Sequence, residues 1–416
     1  MKNQVFITAS LLITVTSLLL FCLLGVSCTP GRDFDARLSA IAKSYKFSIA
    51  RWEFDAFFGK TKGAIPSNDK RVYDETDKVT EYFSYVQQIK TLKSEIEAVK
   101  AGNQPGDLSS LETKLTELQQ QRAALENLVE GIIKKQIRET LAQQGIFHPV
   151  DKYLGFKANF PPINFKLEKP PHLLVVSPRD RIESMREIVL RQEINLEEMD
   201  EVEAEVDQLG VSSLVIALGG FGGTYPAFVT NEASLRFTVD AAVEEWLHQY
   251  LFFKPLGFRY ALSLTGIFRN YEIATMNETV ASMISKEIGA IIAESYYPQH
   301  ETNGSQSQEP VSGFDFNQEM REIRRATDEY LARGEIEQAE EFMEQKRQYL
   351  ATKGYYIRKL NQAYFAFYGT YADSPTSISP IGLEVKKLRS QSTSLKEFLD
   401  TVAAMTSRQD LIESIE

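Results

Sequence analysis

The stretch from Phe6 to Val26 contains no charged residue, and this feature most constrains how the chain can fold. A helix of about 20 apolar residues crosses the hydrocarbon core of a bilayer, because each residue adds about 1.5 Å. Before this stretch, the charged groups are the amino group of Met1 and the side chain of Lys2. The sequence therefore predicts that residues 1–31 are a membrane anchor or signal segment and that residues 32–416 fold in water.

Three interpretations of this segment remain open. It can be a single uncleaved N-terminal span or a cleaved secretion signal, because both begin with a charge and continue with an apolar run. Its end, where Gly25, Val26 and Ser27 precede Cys28, resembles a bacterial lipoprotein signal, which implies a lipid anchor on Cys28. If Lys2 stays inside, all three interpretations place the body outside the cytoplasm.

Charge and cysteine content exclude two classes of function for the body. The formal net charge of -11 repels phosphate backbones, so we expect no nucleic acid among the partners. Both cysteines, Cys22 and Cys28, lie in the N-terminal segment. The sequence of the body therefore offers no disulfide and no thiolate metal ligand.

Two stretches between residues 79 and 132 have apolar residues at coiled-coil spacing. Residues 102–106, Gly-Asn-Gln-Pro-Gly, break the helix between them, and Asp107 can cap the second helix. The apolar positions are Val79, Val86, Ile89, Leu92, Ile96 and Val99, followed by Leu108, Leu111, Leu115, Leu118, Leu125, Val129 and Ile132. We predict an antiparallel coiled-coil hairpin within a helical region, residues 32–146, that serves as a brace or as an arm for oligomerisation or partner docking. Because such a hairpin can bury its seam against itself, we expect the body to fold without it.

Residues 147–298 have the pattern of an α+β core. Short apolar runs at 172–176, 211–218 and 225–230 predict strands. The glycine-rich residues 219–223 predict a tight turn between two strands, because no Gly-Lys-[Ser/Thr] follows to form a phosphate cradle.

The helix predicted over residues 238–251 carries the candidate chemistry. Glu244, Glu245 and His248 share one face of this helix. The opposite face is apolar, and Ala241 and Leu251 lie beside the three polar residues, so both faces are expected to be buried. A buried carboxylate pair beside a histidine is costly unless a cation is bound or a proton is shared. A hydrogen bond from Glu to His within the core and a metal site both remain open here.

Residues 244–248, Glu-Glu-Trp-Leu-His, resemble the His-Glu-x-x-His helix of the gluzincin metallopeptidases. Residues 277–281, Asn-Glu-Thr-Val-Ala, resemble the later helix of that family, Asn-Glu-x-x-[Ser/Ala], which supplies the third metal ligand. The resemblance implies that Glu244, His248 and Glu278 hold one divalent metal ion. Zinc is the first expectation. Because Glu244 stands where the family has a histidine, the ligand set is also suited to manganese or iron.

The resemblance further implies that Glu245 is the general base and that a tyrosine, Tyr271 or Tyr296, stabilises the oxyanion. It also implies the fold. We expect a zincin-like α+β domain, with a small mixed sheet and active-site helices, that carries an N-terminal coiled-coil hairpin and a helical C-terminal extension.

The sequence lacks the signatures of two other kinds of catalytic centre. A di-iron carboxylate site needs a second Glu-x-x-His, and a serine hydrolase of the α/β type needs Gly-x-Ser-x-Gly; the chain has neither. The remaining histidines, His148, His172 and His300, have no spaced partner, so we expect structural or solvent-exposed roles for them.

Beyond the core, residues 299–313 form a polar linker and residues 314–416 a helical C-terminal region. The aromatic segment 355–371 and the loop 372–380 are expected to pack against the core or to line a cleft. Two functions follow from the whole sequence. One is a membrane-anchored extracytoplasmic metallopeptidase that cuts a peptide or protein substrate. The other is a non-catalytic pseudo-peptidase that binds or assembles a partner through its coiled-coil hairpin and aromatic cleft.

Overall fold

The computed structural model describes residues 32–48, 72–147, 161–264, 268–299, 314–372 and 374–416. These residues form a mixed α/β structure of thirteen helices and six strands, most of it helical. The helices are α1 (Arg32–Ala42), α2 (Val72–Lys100), α3 (Leu108–Gln143), α4 (Leu196–Asp207), α5 (Leu235–Phe252), α6 (Pro255–Leu264), α7 (Tyr271–Tyr296), α8 (Phe316–Ala332), α9 (Ile336–Thr352), α10 (Gln362–Tyr368), α11 (Ile381–Gln391), α12 (Leu395–Ala403) and α13 (Arg408–Ile415). The strands are β1 (Phe165–Leu167), β2 (His172–Pro178), β3 (Arg186–Leu190), β4 (Val211–Ala217), β5 (Gly220–Phe221) and β6 (Ala227–Val229).

Helices α2 and α3 form the predicted antiparallel hairpin. The turn between them includes Gly102 at a φ of 73°, a conformation that glycine adopts without steric cost. Asp107 caps α3 by accepting hydrogen bonds from the backbone N–H groups of Ser109 and Ser110. Near the tip of the hairpin, Leu92 of α2 and Leu118 of α3 are buried between the two helices, as in a heptad seam.

The base of the hairpin belongs to the main core. Tyr82, Ile133 and Ile137 are fully buried in the same apolar cluster as residues of α5, α7 and α12. Glu130 is also buried, and its carboxylate accepts hydrogen bonds from the Leu167 backbone N–H at 3.0 Å and from Lys166 Nζ at 2.8 Å. The hairpin therefore does not bury its seam against itself alone, and the expectation that the body folds without it has no basis in the structure.

The strands form two small sheets. Strand β2 lies between β3 and β4 in an antiparallel sheet, and β6 lies between β1, which is parallel to it, and β5, which is antiparallel. Alternate side chains of β2 point to opposite faces, so Leu174 and Val176 pack against α1 and α4, whereas Leu173 and Val175 pack against α10. The aromatic segment thus covers one face of the first sheet.

The C-terminal helices pack directly on the central helices. Val385 of α11 and Phe398 of α12 are fully buried in the main core, and Arg389 forms an ion pair with Glu287 of α7 at 2.6 Å. Residues from the N-terminal, central and C-terminal regions therefore share one core. The boundaries at 146 and 314 remain predictions.

The prediction of a transmembrane helix needs a correction. Within the part of the chain that the structure describes, no helix has both the length and the apolar character needed to cross a membrane. The run 6–26, on which that prediction was based, lies outside the described residues, as do Cys28, His148 and residues 300–313.

Candidate metal centre

Helices α5 and α7 pack side by side and position the predicted residues. Trp246 anchors α5, because its indole ring is buried and Nε1 donates a hydrogen bond to the Pro161 carbonyl at 2.8 Å. Asn270 begins α7 by accepting a hydrogen bond from the Ile273 backbone N–H at 3.1 Å. The apolar faces of the two helices enter the main core, which leaves the polar face of α5 directed at α7.

Glu244, His248 and Glu278 converge in the space between these helices. Glu244 and His248 lie one turn apart on α5, and Glu278 lies two turns into α7. One ligand atom from each residue lies within 4.8 Å of the ligand atoms of the other two. The side chain of His248 is 18% exposed and that of Glu278 is 11% exposed, so the cluster is recessed but reachable from solvent.

The two ring nitrogens of His248 have different partners. Nδ1 lies 2.9 Å from Oδ1 of Asn277. Because a carboxamide oxygen accepts and does not donate, Nδ1 carries the hydrogen. Nε2 then faces Oε2 of Glu278 at 3.6 Å, which is longer than an ordinary N–H···O hydrogen bond. Two ligands at about 2.0–2.1 Å from a tetrahedral ion are roughly 3.3 Å apart, close to this spacing.

The cluster favours the binding of positive charge, either as protons or as a cation. Burial raises the pKa of Glu244 to about 8 and the pKa of Glu245 to about 7, because charged carboxylates lose hydration there. Burial alone would lower the pKa of His248, but the neighbouring carboxylates, Glu278 first, raise it above its usual value. At neutral pH the carboxyl groups therefore gain from holding either protons or a cation.

Glu245, the predicted general base, points toward the glycine-rich turn. A Cβ atom at Gly220 would lie 2.3 Å from Oε1 of Glu245, and one at Gly222 would lie 2.7 Å from Oε2. Gly222 also gives the carboxylate a backbone hydrogen bond that lowers its pKa in part. The predicted tight turn is present next to β5. Because its glycines have no side chains, the Glu245 carboxylate fits against it.

Sequence reasoning missed the tyrosine that contacts the cluster. Tyr260 of α6 donates a hydrogen bond to Oε1 of Glu278, and its ring centroid lies 5.9 Å from that of His248. The pKa of Tyr260 is raised well above its usual value by burial and by the charge of Glu278, so the hydroxyl stays protonated. No pattern in the sequence distinguishes Tyr260, because α6 follows the turn after α5 and approaches α7 only in the folded chain.

A second tyrosine comes from the C-terminal region. The pKa of Tyr371 is raised well above its usual value by burial and then by the charges of Glu278 and Glu244. The next residue, Ala372, donates its backbone N–H to Oγ1 of Thr279 at 3.0 Å, which fixes this segment against α7. The aromatic segment therefore packs on a sheet at α10 and also borders the cluster at Tyr371.

The structure places the two predicted oxyanion tyrosines elsewhere. Tyr271 begins α7 and lines a separate cavity together with Arg324. Tyr296 ends α7, and its hydroxyl donates a hydrogen bond to Glu139 at 2.9 Å. Among the histidines outside the cluster, His172 is buried with Nδ1 3.2 Å from the Arg191 carbonyl oxygen, a structural contact.

Comparison of the chain with protein family models, curated proteins and solved structures finds no match. The resemblance to the gluzincins therefore remains a prediction from two short motifs, and the geometry of the cluster has to carry any functional conclusion.

Proposed function

We propose that this chain is a metal-dependent peptidase with a zincin-like core, in which Glu244, His248 and Glu278 hold one divalent cation. The observation that carries this proposal is the approach of His248 Nε2 to Glu278 Oε2 at 3.6 Å. With the hydrogen of a neutral imidazole on Nδ1, a nitrogen lone pair faces a carboxylate oxygen. Such a contact is repulsive unless a cation lies between the two atoms or a second proton on Nε2 makes the ring an imidazolium, which the raised pKa of His248 favours.

The ligand set fits zinc and also admits other ions. Zinc accepts imidazole nitrogen and carboxylate oxygen at about 2.0–2.2 Å. Two carboxylates and one imidazole are harder and more anionic ligands than two imidazoles and one carboxylate, so manganese and iron(II) are alternatives. When bound, the cation would polarise a water molecule and the substrate carbonyl as a Lewis acid.

The protein's own residues supply the proton transfer. Glu245, with a pKa of about 7, is suited to take a proton from water and deliver it to the leaving amine at neutral pH. Gly220 and Gly222 lie against its carboxylate on the side of β5 and so restrict its position. Tyr260 orients Glu278 through its hydrogen bond, and Tyr371, held protonated, is the donor that we assign to the developing oxyanion.

A second candidate is a non-catalytic protein that binds or assembles a partner through its coiled-coil hairpin. It is supported by the raised pKa values of Glu244 and Glu245, which favour protons on these carboxyl groups when no metal is bound. The hydroxyl of Tyr260 also donates a hydrogen bond to one carboxylate oxygen of Glu278, so this oxygen has a partner when no ion is bound. The two candidates differ in what neutralises the carboxylates: a cation in the first and protons in the second.

Titration of the metal-depleted full-length protein distinguishes the two candidates. After removal of metals with a chelator, zinc, manganese and iron(II) are titrated by calorimetry, and hydrolysis of a fluorogenic peptide library is followed in parallel. We expect one ion per chain, and binding at least about tenfold weaker in Glu244→Gln and Glu278→Gln, as expected when a charged ligand is lost. Glu245→Gln should bind metal normally and hydrolyse nothing.

Glu112→Gln is the matched control, because Glu112 is an exposed carboxylate on the hairpin that pairs with Lys100 at 2.9 Å. It should bind metal and hydrolyse peptides like the unmodified protein. Stoichiometric metal binding without hydrolysis would favour the binding protein over the peptidase. Failure to bind any of the three ions would eliminate the metal centre.

A further inference from the structure

A second cavity of about 280 Å³ lies beside the first turn of α7. It is separate from the metal cluster, opens to solvent, and lies between helices of the central and C-terminal regions. Its lining residues are Tyr271, Glu272, Arg324, Arg408 and residues 377–381. Two arginines and several hydroxyl groups line one recess, which indicates a ligand with acceptor atoms.

The two arginines differ in how their donors are used. Arg408 is committed, because Nε and Nη2 bond to Glu384 and Nη1 bonds to Glu272. Arg324 is only 8% exposed, and Nε donates to Asp328 at 2.8 Å. Arg324 also forms a hydrogen bond with the Tyr271 hydroxyl, and among the described residues Asp328 is the one carboxylate bonded to it, so the remaining Nη hydrogens are not spent on a carboxylate. A buried guanidinium with unused donors favours a planar anion with two oxygens.

Hydroxyl groups complete the donor set around Arg324. Burial raises the pKa of Tyr271, so its hydroxyl remains a donor at neutral pH. Ser377 Oγ accepts the Ser379 backbone N–H at 3.3 Å, and Ser379 Oγ accepts the Ile381 backbone N–H at 3.3 Å. Within the described part of the chain neither hydroxyl donates a hydrogen bond, so both hydroxyl hydrogens can point to a ligand.

The cavity and the metal cluster lie along one face of α7. Tyr271 and Glu278 are seven residues apart, which is about two turns and about 10 Å along the axis. Residues 369–372 lie between the two sites, and residues 377–381 line the cavity. A Cβ at Gly369 would lie 3.4 Å from the Tyr271 hydroxyl and 3.1 Å from Nη1 of Arg324, whereas Ala372 bonds to Thr279, the neighbour of Glu278.

We propose that this cavity binds the C-terminal carboxylate of a peptide whose scissile bond lies at the metal cluster, an inference that rests on the proposed function. An extended chain covers about 3.3–3.6 Å per residue, so about three residues span the 10 Å between the sites. Hydrolysis there breaks one C–N bond, and water gives its hydroxyl to the carbonyl carbon and its hydrogen to the leaving amine. The product released from the C-terminus has two or three residues.

Binding to the metal-depleted full-length protein tests the cavity without any catalysis. The probes are acetyl-Ala-Ala with a free carboxylate, the same peptide as its C-terminal amide, and inorganic phosphate, each titrated in the presence of chelator. We expect the free acid to bind at least about tenfold more tightly than the amide, since a charge-assisted bond is lost in the amide. Arg324→Gln should remove this preference.

Two further variants separate loss of binding from loss of folding. Arg325→Gln removes the same charge from the exposed neighbour of Arg324 on α8 and should bind like the unmodified protein. Ile378 lines the cavity and is 41% exposed, so Ile378→Glu places a repelling carboxylate there without disturbing the buried arginine. This variant should bind the free acid at least about tenfold more weakly, and its affinity for the amide should be unchanged.

Equal affinity for acid and amide, or an equal loss in Arg325→Gln, would overturn the proposal. Binding of phosphate without binding of the free acid would show a site for a small inorganic anion instead.

The length of the released products gives an independent readout with metal-loaded protein. If the acid binds but nothing is hydrolysed, the proposed function fails while the anion cavity stands. If internal bonds are cut regardless of the C-terminus, the cavity inference fails while the peptidase stands.

Discussion

A Cβ atom added at Gly222 would lie 2.7 Å from Oε2 of Glu245, closer than real side-chain contacts allow. The other carboxylate oxygen is closer still to the Cβ position of Gly220. The turn that follows β5 therefore encloses Glu245 with backbone alone, and any side chain there must displace the carboxylate.

Gly222→Ala should impair hydrolysis while leaving the metal site intact. The methyl group must move the Glu245 carboxylate, and misplacement of a general base by about 1 Å costs on the order of 100-fold in rate. Metal affinity should change by no more than a few-fold, because Glu245 is not a ligand. Steady-state hydrolysis and metal titration of the same preparation measure both quantities.

Gly131→Ala is the control for the glycine substitution. Gly131 lies within α3, and nothing lies within 4 Å of its Cβ position. This variant should retain full activity and gain up to about 1 kcal/mol of stability, because alanine is the better helix former. Unchanged hydrolysis in Gly222→Ala would show that Glu245 does not act from the position seen here.

Asp240 should make stability depend on pH. Its carboxylate pairs with Arg236 at 2.9 Å and lies against Gly289, yet burial raises its pKa from 3.8 to about 6. Between these two values the folded state binds the proton more tightly than the unfolded state does. The free energy of unfolding should therefore fall as pH rises from about 4 to 6, by roughly 2–3 kcal/mol from this group at 1.36 kcal/mol per pKa unit.

Urea unfolding at pH 4, 5, 6 and 7 measures this contribution against Asp240→Asn. The asparagine variant should lack the decline, so its stability relative to the unmodified protein should increase with pH. Asp400→Asn is the control, because Asp400 is an exposed carboxylate that pairs with Lys396. Parallel pH profiles for the unmodified protein and Asp240→Asn would contradict the prediction.

The hairpin should tolerate shortening at its tip but not removal of its base. Deletion of residues 81–137 removes Ile133 and Ile137, which are fully buried in the main core, so this variant should be insoluble or unfolded. Deletion of residues 95–112 with a two-glycine link removes only the outer seam and should leave a folded protein. Circular dichroism and gel filtration compare the two; a soluble, folded 81–137 deletion would restore the idea of an independent arm.

The sequence could predict what depends on local periodicity. The heptad pattern identified α2 and α3, and the placement of Glu244 and His248 four residues apart put both on one face of α5. The motif at 277–281 located Glu278 on a second helix. Each of these features is set by 3.6 residues per turn within one segment, so it is visible without the fold.

Contacts between segments distant in the chain were not predictable in this way. Tyr260 reaches Glu278 only because α6 turns back toward α7, and Tyr371, whose pKa the charges of Glu278 and Glu244 raise, belongs to a loop some ninety residues further along. The base of the hairpin entered the core because α3 packs on β1 and α7, although its heptad pattern continues unchanged. Periodicity shows which face of a helix is buried but not what covers it.

Glu244→His tests whether this cluster is a modified peptidase site. The substitution would create the ligand set of the gluzincins, and imidazole matches zinc better than carboxylate does. It also removes a group whose pKa of about 8 makes zinc compete with a proton at neutral pH, a penalty of about tenfold at pH 7. Zinc affinity should therefore rise by at least about tenfold, and peptide hydrolysis should rise with it. Glu244→Gln, which removes the carboxylate without supplying an imidazole, should lower both. If Glu244→His binds no zinc and only lowers the free energy of unfolding, the likeness to the gluzincins is one of shape, and the two glutamates and the histidine form a proton-sharing cluster in a binding protein.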